Sequence, residues 1–365
     1  MIPPDPGSPP PVDPPGEPVD PRGGPVDPEG EPADPGAPTS PGPPARPGAG
    51  TFTIEGRAAP ALFVVGWLAT LVGLVAIGVA LLAGGSTGAA ILLAVGLAVL
   101  SVGLIAGAGS QGIERRTRGE DPYGGPSPFL VFAASVPVSL LAVVVFAIPL
   151  TIADVPVEGP AGRLASVVIQ ALVYVGLIRL LVVDTGALSW AAMGVRRLDR
   201  RAIGELATGA LWAGPVIVAT IVVAAILFLF IPVTPPSPLP PTGEPLGFVL
   251  NLLAGAVVAP IGEELLFRAF ATTAWARSMG DRRGLIRGAL FFAVVHVLTI
   301  SGASAGEAVG MAVVGFAARI PVALALGWLF LQRRSVWVPI GLHATFNAVL
   351  LITAELAARS GLAPG

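Results

Sequence analysis

Nine stretches of predominantly apolar residues follow one another between residues 60 and 354, and they confine this chain to a membrane. An α-helix needs about 20 apolar residues to cross the hydrocarbon core of a bilayer. Hydrophobic residues make up 53% of the chain and charged residues 12%, about half of the roughly 25% usual in soluble domains. We therefore predict an all-α polytopic membrane protein with about nine transmembrane helices. The predicted spans are 60–83, 89–108, 129–152, 164–183, 210–231, 246–270, 285–300, 308–331 and 336–354.

The placement of arginine supports these spans. Segments 109–127, 184–206, 276–288 and 332–335 contain 3, 4, 4 and 2 arginines, and the alternate segments 84–88, 153–163, 233–245 and 301–307 contain 0, 1, 0 and 0. Basic residues are concentrated on the cytoplasmic side of membrane proteins. The alternation therefore predicts a multi-pass protein of the cell membrane whose N-terminus is cytoplasmic and whose C-terminus is external.

The first fifty residues have a different composition. They contain 19 of the 39 prolines and repeat the unit PVDPPGE, PVDPRGG, PVDPEGE. Such a segment buries too little apolar surface to fold, so residues 1–57 are predicted to be a disordered, Pro-rich cytoplasmic tail. The alternative is a ligand for a proline-recognition module, whose identity the sequence does not give. The start of the chain lacks the apolar region of a signal peptide.

Composition also excludes several kinds of site. The chain has no cysteine, which excludes disulfides, thiolate catalysis and thiolate metal ligands. Its net charge of −2 gives no reason to expect nucleic-acid binding. The Pro-rich loop 233–245 separates five spans, within 58–232, from four spans, within 246–356. Ionisable residues concentrate in the later group, whereas the first five spans have no assigned role.

Charged side chains in a membrane interior are costly and usually face a polar cavity or a partner. The sixth predicted span contains EELLFR, with Glu263, Glu264 and Arg268. Residues four apart share a helical face, so Glu264 and Arg268 are expected to pair. That pair by itself is as consistent with a structural role as with a catalytic one. Glu263 points about 100° away and has no partner on its own helix.

The only two histidines lie in two of the late spans. His296 follows Phe292 by four residues in FAVVH, and Asn347 follows His343 by four in HATFN. His296 and His343 each lie about 13 Å along a helix from an arginine that marks the cytoplasmic end. Glu263 is also in the cytoplasmic half of its span. The sequence therefore predicts that these polar groups lie at similar depth.

The ordered motifs EExxxR, FxxxH and HxxxN resemble the CPBP family of intramembrane proteases. This family includes the type II CAAX prenyl endopeptidase and bacteriocin-processing and immunity proteins. The resemblance covers about 246–356 and does not extend to residues 1–245. It implies a hydrolase that cleaves a membrane-associated, prenylated or CAAX-like protein or peptide.

The resemblance also implies roles for the motif residues. Glu263 and His296 would bind and activate water, with Glu263 as the general base. His343 and Asn347 would donate hydrogen bonds to the oxyanion. Glu264 and Arg268 would orient the motif helix, and Phe292 would pack beside the site.

A metal is a separate expectation. Glu263, His296 and His343 are a plausible ligand set for zinc or another divalent metal, which would make the protein a metalloprotease. Activation of water by glutamate and histidine without a metal fits the same residues.

Two further interpretations stay open at this stage. The polar cluster is also compatible with a non-catalytic membrane scaffold or a bacteriocin-immunity protein, and less readily with a proton-coupled transporter. Arg319, in the middle of the eighth span, is predicted to pair with an acidic group such as Glu264 or to extend to the interface. The alternative is that it binds a substrate carboxylate or a lipid phosphate.

Overall fold

The structure is a computed structural model that describes residues 53–119, 121–152, 157–233 and 239–361. These residues form one compact unit, so the helices before and after the Pro-rich loop pack together. The predicted disordered tail, 1–57, lies outside the described residues except for its last five. Its disorder, its cytoplasmic location and the functional division of the chain stay predictions.

The described residues contain helices and no strand, which confirms the all-α fold. Nine helices correspond one for one to the nine predicted segments. They are α1 Pro60–Leu82, α2 Thr87–Arg118, α3 Pro128–Ile152, α4 Pro160–Val183, α5 Arg200–Phe228, α6 Pro245–Met279, α7 Asp281–Val295, α8 Ala305–Arg333 and α9 Trp337–Arg359.

The number of full spans differs from the prediction. Within the described ranges, eight of these helices are long and apolar enough to cross a membrane, and α7 is not one of them. With 15 residues, α7 is about 22 Å long, shorter than the roughly 30 Å hydrocarbon core. The predicted span 285–300 is therefore wrong as a full crossing. The helix starts four residues earlier, at Asp281, and ends one residue before His296.

The four arginine-bearing segments contact one another at one face of the bundle. Asp121 accepts a hydrogen bond from Ser278 at 2.7 Å, and Asp281 pairs with Arg334 at 2.6 Å. Glu205 accepts a short hydrogen bond from Ser335. The alternation of arginine therefore has a physical counterpart, since these ends of the helices meet at the same side. The chain after α7 still reaches the opposite side, because α8 returns from there to Arg334.

Helix ends are set by local sequence. Asp199 caps α5 by accepting a hydrogen bond from the Ala202 N–H at 2.8 Å, and Ser304 caps α8 by accepting from the Glu307 N–H at 3.2 Å. Arg334 ends α8 in a left-handed conformation, with φ 49°, and Trp337 starts α9 three residues later. This tight turn places α9 directly beside the end of α8.

Two glycines bring α5 and α9 into backbone contact. A Cβ atom at Gly209 would lie 2.0 Å from the Val338 carbonyl oxygen, and one at Gly341 would lie 2.1 Å from the Leu206 carbonyl oxygen. Only glycine permits an approach this close, as is common at helix interfaces in membranes. Because Gly341 lies two residues before His343, this contact fixes the depth of that histidine.

The centre of the molecule is aromatic. Phe267 on α6 packs edge-to-face against Phe291 and Phe292 on α7, with ring centroids 5.3 and 5.2 Å apart. On its other side α6 approaches α4, where a Cβ at Gly262 would lie 2.8 Å from the Cβ of Ala171. Helix α6 is therefore held between α4 and α7 at the point where Glu263 and Glu264 occur.

Candidate active site

The backbone of α6 departs from regular α-helix on both sides of Glu263. A π-helical segment runs from Leu253 to Val258, and a second runs from Glu264 to Thr272. Pro260 lies between them, and it lacks the N–H that would continue a regular helical ladder. Short π segments inside helices are frequent at functional sites. Here they place the side chains of two adjacent glutamates in different surroundings.

Glu264 belongs to a group that we name the packed cluster: Glu264, Arg268 and Phe292, with the Nδ1 side of His343. Glu264 Oε1 lies 3.1 Å from Arg268 Nη1 and 2.7 Å from His343 Nδ1. Glu264 is fully buried, and Arg268 is 1% exposed. The expected Glu264–Arg268 pair is thus present, and it also holds a histidine from α9.

Phe292 lies at the middle of the packed cluster. Its ring is 4.1 Å from the guanidinium carbon of Arg268. It also contacts the imidazoles of His296 and His343, at centroid distances of 4.2 and 5.8 Å. This placement agrees with the expected packing role, because the ring touches both histidines and the buried arginine and offers no reactive group.

Glu263 belongs to a second group, the open cluster: the carboxylate of Glu263 with the Nε2 atoms of His296 and His343. Its Oε2 atom lies 3.3 Å from His296 Nε2 and 3.8 Å from His343 Nε2. The Glu263 side chain is 18% exposed and that of His296 is 25% exposed. The structure therefore brings together one carboxylate and both histidines, from three helices, at a partly accessible position.

The other ring nitrogens are already engaged. His296 Nδ1 lies 2.8 Å from the Phe292 carbonyl oxygen, which can only accept, so Nδ1 carries the proton. His343 Nδ1 faces Glu264 Oε1, which Arg268 also pairs. In the neutral form of each ring, Nε2 is then an acceptor that faces Glu263. Three acceptor atoms thus converge where the two O–H donors of a water molecule would satisfy two of them.

Unsatisfied buried atoms are concentrated at these two clusters. Glu263 Oε2, Glu264 Oε2 and Arg268 Nη2 have no hydrogen-bond partner among the residues that the structure describes. Most buried polar atoms in proteins have partners, and exceptions often mark a catalytic site or a position that binds water. The concentration of these atoms around Glu263 therefore identifies this as the candidate active site.

The side chain of Asn347 is partly engaged by the backbone of α6. Its Nδ2 atom donates to the Gly255 carbonyl oxygen at 2.8 Å. Gly255 lies in the π segment before Glu263, so Asn347 ties α9 to the irregular part of α6. One of its two amide protons is used in this way, and the other is available to a ligand.

Two further residues lie near the open cluster. Arg319 donates from Nη1 to the Gly315 carbonyl oxygen at 2.8 Å, and it does not form the expected pair with Glu264. Tyr174, on α4, is 5% exposed and packs beside Gly262. Sequence analysis missed Tyr174, although it is one of only two tyrosines and lies in a span four residues after Gln170.

The donor chemistry of the open cluster fits a divalent metal. Glu263 Oε2 lacks a hydrogen-bond partner, and each histidine presents Nε2 while its Nδ1 is held by a carbonyl or a carboxylate, as is usual for metal-binding histidines. In the described ranges, however, no group of three or more histidine, aspartate or glutamate side chains is arranged to hold a metal ion. A metal at this site is therefore kept as a proposal.

Comparison with known families matches residues 245–349 to the family described as Type II CAAX prenyl endopeptidase Rce1-like. This part of the chain is similar to that family. The match contains every motif residue of the two clusters and agrees closely with the predicted range 246–356, so the CPBP resemblance is confirmed. Comparison with curated proteins and comparison with solved structures each found no match.

Similarity to this endopeptidase family supports a protease embedded in a membrane. The eight long apolar helices agree with that conclusion. The endopeptidase-like segment includes α6 to α8 and the first half of α9, so all the histidines and the paired glutamates lie within it.

Proposed function

We propose that this protein is an intramembrane endopeptidase that hydrolyses a peptide bond of a membrane-associated, prenylated or CAAX-like protein or peptide. The observation that carries the proposal is the convergence of Glu263 Oε2 with two imidazole Nε2 atoms, at 3.3 and 3.8 Å. The family match adds independent support. We further propose that the arginine-bearing face is cytoplasmic in the cell membrane, which places the N-terminus on that side.

In the proposed mechanism, Glu263 and His296 hold the attacking water. Glu263 accepts a proton as the water oxygen bonds to the peptide carbonyl carbon. When the C–N bond breaks, that proton passes to the leaving amine. The products are a carboxylic acid and an amine, which exchange a proton to become a carboxylate and an ammonium group, so the step is balanced without any other reactant.

The negative oxygen of the tetrahedral intermediate needs donors. We propose that His343, in its imidazolium form with protons on both Nδ1 and Nε2, and the remaining amide proton of Asn347 donate to it. Glu264 acts through His343, because its carboxylate holds Nδ1 and so fixes the direction of Nε2. Arg268 in turn fixes Glu264. Neither Glu264 nor Arg268 needs to touch the substrate.

A divalent metal such as zinc, if it is bound, would be held by Glu263, His296 and His343, and would supply a Lewis acid that lowers the pKa of bound water. Purified protein that retains its activity and its thermal unfolding midpoint after treatment with 1,10-phenanthroline would support activation of water without a metal. Mass spectrometry of the metal content measures occupancy separately. One metal per chain, whose removal lowers the midpoint, would establish the metalloprotease instead.

Comparison of wild type with Glu263→Gln tests the proposed function. If Glu263 is the general base, the variant should lose about 10²–10⁴-fold in cleavage rate and keep its elution profile in detergent. Peptide termini are compared by mass spectrometry in cells that express either protein. Glu158→Gln is a matched control, because it makes the same change at an exposed loop residue.

The outcome distinguishes the open alternatives. Termini that are present with wild type and Glu158→Gln, and absent with Glu263→Gln, would establish the peptidase and identify its substrate class. Identical termini in all three samples, at equal expression, would contradict the proposal and favour a scaffold or an immunity protein.

A further inference from the structure

Arg319 lies at the depth of the open cluster. Asp281 at the start of α7 and Arg334 at the end of α8 form an ion pair at 2.6 Å. The two residues therefore lie at the same depth and give a common reference point for these antiparallel helices. His296 lies fifteen residues after Asp281, and Arg319 lies fifteen residues before Arg334. Both are therefore about 22 Å from the same ion pair. Gly315 confirms the proximity, since a Cβ there would lie 3.3 Å from both Val297 and Ile300, just after His296.

The charge of Arg319 is not matched by a carboxylate. The side chain is partly buried, and across the described ranges no aspartate or glutamate forms an ion pair with it. The charge of Glu263 acts on Arg319 from beyond the distance of an ion pair. By contrast, Arg268 pairs with Glu264 and Arg359 pairs with Glu355.

A charged group inside a membrane is costly unless it is paired or faces a polar cavity. Arg319 uses one N–H on the Gly315 carbonyl oxygen, and a guanidinium has five N–H donors. The remaining donors suit a planar anion, because a guanidinium binds a carboxylate through two parallel hydrogen bonds. This combination of depth, charge and free donors indicates an anion-binding residue beside the proposed catalytic groups.

We propose that Arg319 binds the free C-terminal carboxylate of the peptide substrate. This inference rests on the proposed peptidase function and assigns the residue that recognises the end of the substrate. The side chain of Arg319 extends towards Gly315, away from the arginine-bearing face. Its guanidinium therefore lies farther from that face than His296 does, by about one helical turn, or about 5 Å. An extended chain advances about 3.3 Å per residue. This offset corresponds to about one or two residues of extended chain, so the cleaved bond lies close to the C-terminus.

Binding is tested with full-length protein that carries Glu263→Gln, so that cleavage does not interfere. The probe is a fluorescein-labelled peptide that ends in S-farnesylcysteine and three aliphatic residues, made either as the free acid or as the carboxamide. We expect the acid to bind about 10-fold more tightly by fluorescence anisotropy, as one charge-assisted interaction provides. Adding Arg319→Gln should abolish this preference, and Arg319→Lys should retain part of it.

Arg179→Gln is the matched control. Arg179 also lies in a span, but its side chain is 71% exposed and pairs with Asp184, so the preference for the acid should survive its replacement. Size-exclusion profiles and thermal midpoints show whether each variant folds. Equal binding of acid and amide when Arg319 is intact, or no binding of either, overturns the proposal. Equal weakening of both peptides by Arg319→Gln overturns it as well.

A lipid phosphate is the competing occupant. If nanodiscs of phosphatidylglycerol remove the acid preference and nanodiscs of phosphatidylcholine keep it, the anion site belongs to lipid and the proposal fails. Cleavage of the same two peptides by wild type separates the two hypotheses. A binding preference without cleavage rejects the peptidase and keeps the carboxylate site, and cleavage of both peptides at equal rates rejects only the role of Arg319.

Discussion

The packed cluster and the open cluster share one helix and one histidine, yet their surroundings are opposite. Glu264 is fully buried and held by Arg268 and His343. Glu263, the preceding residue, is 18% exposed and approaches only the Nε2 atoms of two histidines. Adjacent carboxylates therefore serve different purposes. The packed cluster holds His343 in one orientation, and the open cluster keeps a reactive carboxylate accessible.

This difference shows how a membrane protein can keep a charge available inside a bundle. The cost of burying Glu264 is offset by a cation and two hydrogen bonds. Both glutamates keep one buried oxygen without a hydrogen-bond partner, but Glu263 has no arginine partner and a partly exposed side chain, which is unfavourable for stability and useful for binding water or substrate. The comparison predicts that changes in the packed cluster mainly affect folding, and that changes in the open cluster mainly affect turnover.

The largest effect on stability is expected from Glu264→Gln. Removal of this charge leaves Arg268 buried without its ion-pair partner, and breaking a buried pair in this way costs about 3–5 kcal/mol. Unfolding of the purified protein in mixed micelles, titrated with sodium dodecyl sulfate, measures the change. Glu263→Gln is the matched variant one residue away, and it should unfold within about 1 kcal/mol of wild type.

The comparison fails if these two variants have equal stability. Loss of folding in both would mean that Glu263 is also a structural residue. Normal stability in both would mean that Arg268 finds another partner, and that the packed cluster does not hold His343.

Much of this arrangement could be predicted from the sequence. The four-residue spacing predicts the Glu264–Arg268 pair, and the counting of residues from arginine predicts that Glu263, His296 and His343 lie at similar depth. Both follow from helix geometry alone. Which ring nitrogen faces Glu263 could not be predicted, because that depends on contacts between α6, α7 and α9.

The same limit explains the features that the sequence did not predict. Asn347 bonds to the Gly255 carbonyl oxygen because a π segment alters α6 there, and no simple sequence pattern signals that change. Tyr174 was missed because the motifs are confined to the later helices, whereas α4 packs against α6 through tertiary contacts. The predicted segment 285–300 is displaced by four or five residues from α7, since hydropathy continues past His296 while the helix ends just before it.

A smaller effect on stability is expected from Gly209→Ala. The new Cβ would lie 2.0 Å from the Val338 carbonyl oxygen, so α5 and α9 must separate, at a cost of about 1–3 kcal/mol. Because α9 carries His343, cleavage should fall as well. Gly214→Ala, on the same helix, meets no atom within 4 Å and should not destabilise the protein. Equal unfolding midpoints for these variants would show that backbone contact between α5 and α9 is not required.

The smallest effect is expected from Asp281→Asn, at the arginine-bearing face. The Asp281–Arg334 distance, 2.6 Å, is shorter than the 3.1 Å of the Glu264–Arg268 pair. Both side chains are more than half exposed, however, and solvent screening limits such pairs to about 0–1 kcal/mol. We expect a small loss of stability in low salt that disappears in 0.5 M sodium chloride, with unchanged cleavage. A loss as large as that of Glu264→Gln would contradict the ranking, because distance rather than burial would then decide which ion pairs hold this membrane protein together.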